Sequence, residues 1–101
     1  MWPFTKSTVE GARRLREVLV RIKELVDGSA ESDWTPFTPA EISADLDVAI
    51  SRLDKGNAVD VAHLAMLFAP TGPIQETAMG AGWADEYLKL SSEFDSLAPK
   101  A

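Results

Sequence analysis

Cysteine is absent from the 101 residues, so the chain has no disulfide, no thiolate nucleophile and no cysteine-based zinc site. That usage fits a reducing cytoplasm. Long apolar runs are missing too, and nothing approaches the roughly 20 residues of a membrane-spanning helix. The opening Met1-Trp2-Pro3-Phe4-Thr5-Lys6 has no basic region followed by an apolar stretch, so no secretory signal is expected. The chain is expected to be cytoplasmic, with no membrane partner. Histidine occurs once, as His63, which leaves little material for acid–base or metal chemistry.

Basic side chains are few. Ten Lys and Arg stand against sixteen Asp and Glu, a net charge of −6. The imbalance is local: residues 1–28 hold six basic and four acidic side chains, whereas residues 29–101 hold four basic and twelve acidic ones. An acidic body argues against nucleic acid, whose phosphates need clustered Lys and Arg. It favours a basic protein partner through steering, although surface carboxylates also serve plain solubility. Hydrophobic content of 46% and charged content of 26% are those of a folded globular chain, so one domain covering 1–101 is expected.

The chain reads as all-α throughout. Ser7 and Glu10 have capping-box spacing. After them Val9, Ala12, Leu15, Leu19, Ile22 and Val26 recur at helical steps, widened by Val18 and Leu25. The pattern predicts a helix over about 8–27 with Gly28 as a left-handed stop. Its cations Arg13, Arg14, Arg16, Arg21 and Lys23 suggest phosphate binding, yet Glu10–Arg14, Arg13–Glu17 and Glu17–Arg21 stand four apart and pair on one helix surface. A solvated, salt-bridged face is the expectation.

Residues 28–37 read as a loop pinned by Trp34 and Phe37. Trp2-Pro3-Phe4-Thr5 and Trp34-Thr35-Pro36-Phe37-Thr38 echo each other, which reads as two aromatic staples at helix starts rather than a duplication. Thr38, Pro39 and Glu41 then open a helix over about 39–55, with Ile42, Leu46, Ala49, Ile50 and Leu53 as its apolar stripe and Gly56 as its stop. Asn57 is a ready cap for the next helix, 58–68. That segment is apolar almost all round, so it is expected to be the central core element. Pro70 ends it, Pro73 opens a short helix over 73–79, and Gly80-Ala81-Gly82 closes that. The last helix, 83–97, carries Trp83, Tyr87, Leu90, Phe94 and Leu97 on one stripe with Leu88 adjoining it.

The expected architecture is a compact orthogonal or up-down bundle of four main helices plus one short helix, with no sheet. Its core is expected to hold Leu15, Leu19, Ile22, Ile42, Leu46, Ile50, Leu64, Leu67, Phe68, Leu90 and Phe94.

Within that frame the chemistry-bearing motifs are each incomplete. The Gly56-Asn57 corner is shaped like a helix-turn-helix, but the would-be reading helix has Asp60 and His63 and no Lys or Arg for phosphates or guanine. The Gly80–Asp85 spacing puts an aspartate where a dinucleotide fingerprint needs its third glycine, and no strand precedes it. No serine sits in a G-x-S-x-G elbow, and His63 has only Asp60 one turn away. Asp45, Asp47 and Asp54 form neither a Glu-x-x-His pair nor a calcium loop. No catalytic residue, cofactor or metal site is expected.

What is left is the double corner at 69–73 and 80–82. Glu76, Thr77, Trp83, Asp85 and Glu86 are the candidate partner-binding residues there, with Trp83 as anchor. The expected function is that of a small acidic, non-enzymatic protein-binding domain. Immunity-type inhibitors and regulatory adaptors belong to the same physical class: small, helical, acidic and cofactor-free. The alternative is a structural or regulatory homodimer that uses exposed aromatic and apolar surface, including Trp2, Phe4, Trp34 and Phe37.

Overall fold

The computed structural model describes residues 6–29, 38–57, 59–69 and 72–97, with the backbone alone for 6–9. Trp2, Phe4, Trp34, Phe37 and Pro99 lie outside the described residues. Five helices follow one another: α1 (Lys6–Asp27), α2 (Pro39–Asp54), α3 (Val61–Phe68), α4 (Pro73–Ala81) and α5 (Ala84–Leu97). No strand occurs among the described residues, and the fold is an all-α bundle.

The organising element is α1. Leu15, Val18, Leu19, Ile22 and Val26 are each at most 2% exposed. Burying them contributes on the order of 10 kcal/mol of hydrophobic stabilisation. Both α2 and α5 lie chiefly against this helix, and α4 touches it as well. From the other helices Ile42, Leu46, Ile50, Leu64, Leu67, Phe68, Ile74, Ala78, Tyr87 and Phe94 complete the core, while Leu90 is half-buried at its edge. Phe68 and Phe94 stack with ring centroids 4.3 Å apart, joining α3 to α5.

The expectation of a central third helix is corrected. Only Leu64, Leu67 and Phe68 of α3 are buried, while Ala62, Ala65 and Met66 face outward. Alanine is indifferent to solvent and helix-favouring, so an unbroken apolar string did not mean burial all round. The helix also begins later than 58. Asp60, not Asn57, is its cap, and its carboxylate accepts from the His63 backbone N–H at 3.0 Å.

Helix ends differ from expectation in three further places. The first helix already runs through Ser7, so Ser7 is not its cap, and Glu10 pairs instead with Arg13 at 3.0 Å. Gly28 has no positive φ; Ser29 closes α1, its hydroxyl donating to the Leu25 carbonyl at 2.8 Å. The short helix runs two residues past 79, and within the 80–82 stretch it is Gly82 that takes the left-handed conformation, at φ 87°. By contrast Thr38 and Glu41 form a full capping box. Gly56, at φ 71°, ends α2 in a Schellman turn with Asn57 N–H donating to the Arg52 carbonyl at 2.8 Å.

Candidate functional site

Three arginines of α1 make tertiary ties, and the helix also pairs charges along its own surface. Arg16 reaches Asp54 at the end of α2, and Arg14 lies 3.8 Å from Glu93 on α5. Arg21 grips Glu86 on α5 through two guanidinium nitrogens, the second at 2.9 Å. Arg13 goes to Glu10 and Lys23 to Asp27, each at 3.0 Å. The expected Glu10–Arg14, Arg13–Glu17 and Glu17–Arg21 pairs do not form: Arg14 and Arg21 find carboxylates on α5, packed alongside, and Arg13 takes Glu10 one turn back on its own helix. Each of these five cations has a carboxylate partner, so together they offer no open cradle for phosphate.

His63 is likewise a tie. Its Nε2 lies 3.0 Å from Asp45 Oδ2, linking α3 to α2. Among the described residues no group of three or more His, Asp or Glu converges to hold a metal.

The corner between α4 and α5 is shaped by Gly82. With Gly82 left-handed, the N–H groups of Gly82 and Trp83 both donate to the Ala78 carbonyl, at 2.9 and 3.0 Å. The chain reverses at once, and the Trp83 carbonyl accepts from Tyr87 N–H in the first turn of α5. Trp83 is half-buried against the core. Its indole N–H donates to Ser29 Oγ at 2.9 Å, which fastens the start of α5 to the end of α1.

Three of the five expected contact residues are therefore committed inside the molecule. Thr77 is 3% exposed, and its hydroxyl donates to the Pro73 carbonyl at 2.9 Å. A helical threonine that bonds back one turn needs no outside partner, so the expectation of a Thr77 contact is corrected. Trp83 acts as an intramolecular staple with its polar edge satisfied. Glu86 belongs to Arg21, whose hydrogen bond holds the carboxyl below its ordinary range against the opposing effect of desolvation. Glu76 and Asp85 keep carboxylates with no ion-pair partner among the described residues, Glu76 half-exposed and Asp85 exposed.

The expectation that Leu88 adjoins the core stripe is corrected. The residue stands 60% exposed on the outer side of α5, not beside the core stripe. One residue along a helix is about 100° of rotation, so following Tyr87 into the core was enough to turn Leu88 out of it. Leu88 lines an open groove of about 270 Å³ with Gln75, Tyr87, Ser91, Ser92 and Asp95. A second depression, of about 540 Å³, lies along α2 between Ala44, Asp47, Val48, Ser51, Arg52, Lys55 and Asn57. Its charges are mixed in sign.

Comparison with known proteins finds no matching family model, curated protein or solved structure. No helix among the described residues is long and apolar enough to cross a membrane.

Proposed function

We propose that this chain is a small acidic protein-binding domain of the cytoplasm, without catalytic function, whose partner is a basic protein. An immunity-type inhibitor or a regulatory adaptor works in this way. The observation that carries the reading is the pairing of Arg13, Arg14, Arg16, Arg21 and Lys23 of α1 with the protein's own carboxylates. Glu76, Asp85 and Asp95, like Glu17, have no ion-pair partner among the described residues, and the net charge of −6 is felt at the surface. The test is association with a panel of purified basic and acidic proteins across ionic strength. Binding confined to basic proteins, and weakening as salt shortens the Debye length toward about 10 Å, is expected. Equal retention of acidic proteins, or binding indifferent to salt, overturns the reading.

A homodimer is the second reading, favoured by the exposure of Val48, Met66, Met79 and Leu88, at 40% to 64%. These four sit on four different helices, which suits separate contacts better than one continuous interface. Sedimentation equilibrium decides: a mass that stays at 11.0 kDa across concentration removes the dimer.

A further inference from the structure

The outer side of α5 repeats one pattern. Asp85, Leu88, Ser92 and Asp95 recur at steps of three and four, and all four are exposed. By the helical rise the two carboxylates stand about 15 Å apart, with Leu88 about 4.5 Å along from the first. Beside Leu88 the groove is lined by Gln75 of α4 and by the edge of the buried Tyr87 residue. Tyr87 spends its hydroxyl inside, donating to the Phe68 carbonyl at 2.8 Å.

Charge decides among the occupants. The nearest cation on α5, Lys89, forms no ion pair with Asp85 four residues before it, although its charge reaches Glu86. A second copy of this chain would bring Leu88 against Leu88 but also Asp85 against Asp95, and like charges across an interface are strongly unfavourable. Anionic lipid and nucleic acid meet the same repulsion. At about 270 Å³ the groove is also smaller than the roughly 300–1,000 Å³ of a small-molecule site, and it is open along one side. A side chain of another protein suits it better.

We infer that the α4–α5 groove centred on Leu88 docks a basic amphipathic segment of a protein partner, which seats an apolar side chain beside Leu88 and sets Lys or Arg against Asp85 and Asp95. The inference rests on the acidic-binder reading above and locates it on the molecule. The α2 depression plays no part, since Arg52 and Lys55 at its edge oppose a basic ligand.

The probe is a synthetic helical peptide carrying one leucine, with lysines about 15 Å apart on the same face. It is titrated into the isotopically labelled full chain at low salt, with amide shifts as readout. A peptide with glutamates in place of the lysines is the control. Shifts confined to residues 75–76 and 85–95 are expected, with none from the glutamate peptide. The double variant Asp85→Lys, Asp95→Lys weakens binding about tenfold, and Leu88→Ser weakens it roughly five- to tenfold. All three positions are exposed, so the variants keep the wild-type near-ultraviolet spectrum. Lysine-peptide shifts mapping to α2, or affinity unmoved by these substitutions, overturn the groove and leave the acidic-binder reading standing. No interaction of the lysine peptide anywhere overturns both. Concentration-dependent shifts at Leu88 without peptide identify a second copy as the occupant and overturn the basic-segment assignment.

Discussion

Replacing Tyr87 with phenylalanine removes one oxygen and nothing else. The phenol is 3% exposed, and its hydroxyl donates to the Phe68 carbonyl at 2.8 Å. That carbonyl belongs to the last residue of α3, where helix geometry leaves oxygens without an intrahelical donor. The ring stays in place, so the apolar burial of α5 is unchanged. The loss is that of a buried acceptor left unmet, about 1–3 kcal/mol. For a chain of this size each kcal/mol lowers Tm by roughly 4–8 °C. Urea denaturation followed by tryptophan fluorescence is the assay, with a lowered midpoint and an unchanged slope expected. Amide exchange should also quicken across α3, because Phe68 ties that helix to α5 through this bond and through its stack on Phe94. A variant within about 0.3 kcal/mol of wild type means that water reaches the carbonyl, and refutes the claim that α5 closes α3.

Other outcomes follow from single contacts. A Cβ on Gly72 would stand 2.8 Å from the Ala69 carbonyl oxygen and 2.9 Å from that of Met66, both backbone atoms, so Gly72→Ala should cost about 1–3 kcal/mol by thermal melting. Gly80 is helical with nothing within 4 Å of such a Cβ, so Gly80→Ala should instead raise stability by about 0.5–1 kcal/mol. Ser29→Ala removes the acceptor of the Trp83 indole and the donor to Leu25; about 1 kcal/mol should be lost, and faster exchange of the Trp83 indole proton should be visible by NMR. Acidification should destabilise the fold through Glu86, held low by Arg21, and Asp27, held low by Ser43 and then Lys23. Both carboxyls bind a proton more weakly folded than unfolded, so their contribution is complete above the ordinary values of 4.5 and 3.8 and is lost as pH falls through the lower folded values. Urea midpoints between about pH 6 and about pH 3 should therefore fall less steeply for Glu86→Gln than for wild type. An equal slope in the two proteins refutes the assignment to Glu86.

Local rules made the helices legible in advance. Thr38-Pro39-Ala40-Glu41 reads as a capping box because both partners lie within one turn, and Gly56 reads as a stop because its neighbours demand a left-handed residue. The stripe from Leu15 to Val26 shows in the sequence as well, since a period of 3.6 needs no other helix to be seen. The all-α class follows from such signals.

Tertiary packing decided which helix lies at the centre and which carboxylates remain unpaired. An apolar string says that a segment tolerates burial, and only the shape of its neighbours says which residues are covered; Ala62, Ala65 and Met66 are not. Charge pairing is longer in reach than any local spacing. Arg21 turns from Glu17 to Glu86 because a helix 65 positions along the chain brings a carboxylate within hydrogen-bond range. Thr77 and Leu88 changed places for the same reason. One lies on the side of α4 that the bundle covers and the other on the side of α5 that it leaves bare, and the order of residues along a single helix contains no record of its neighbours.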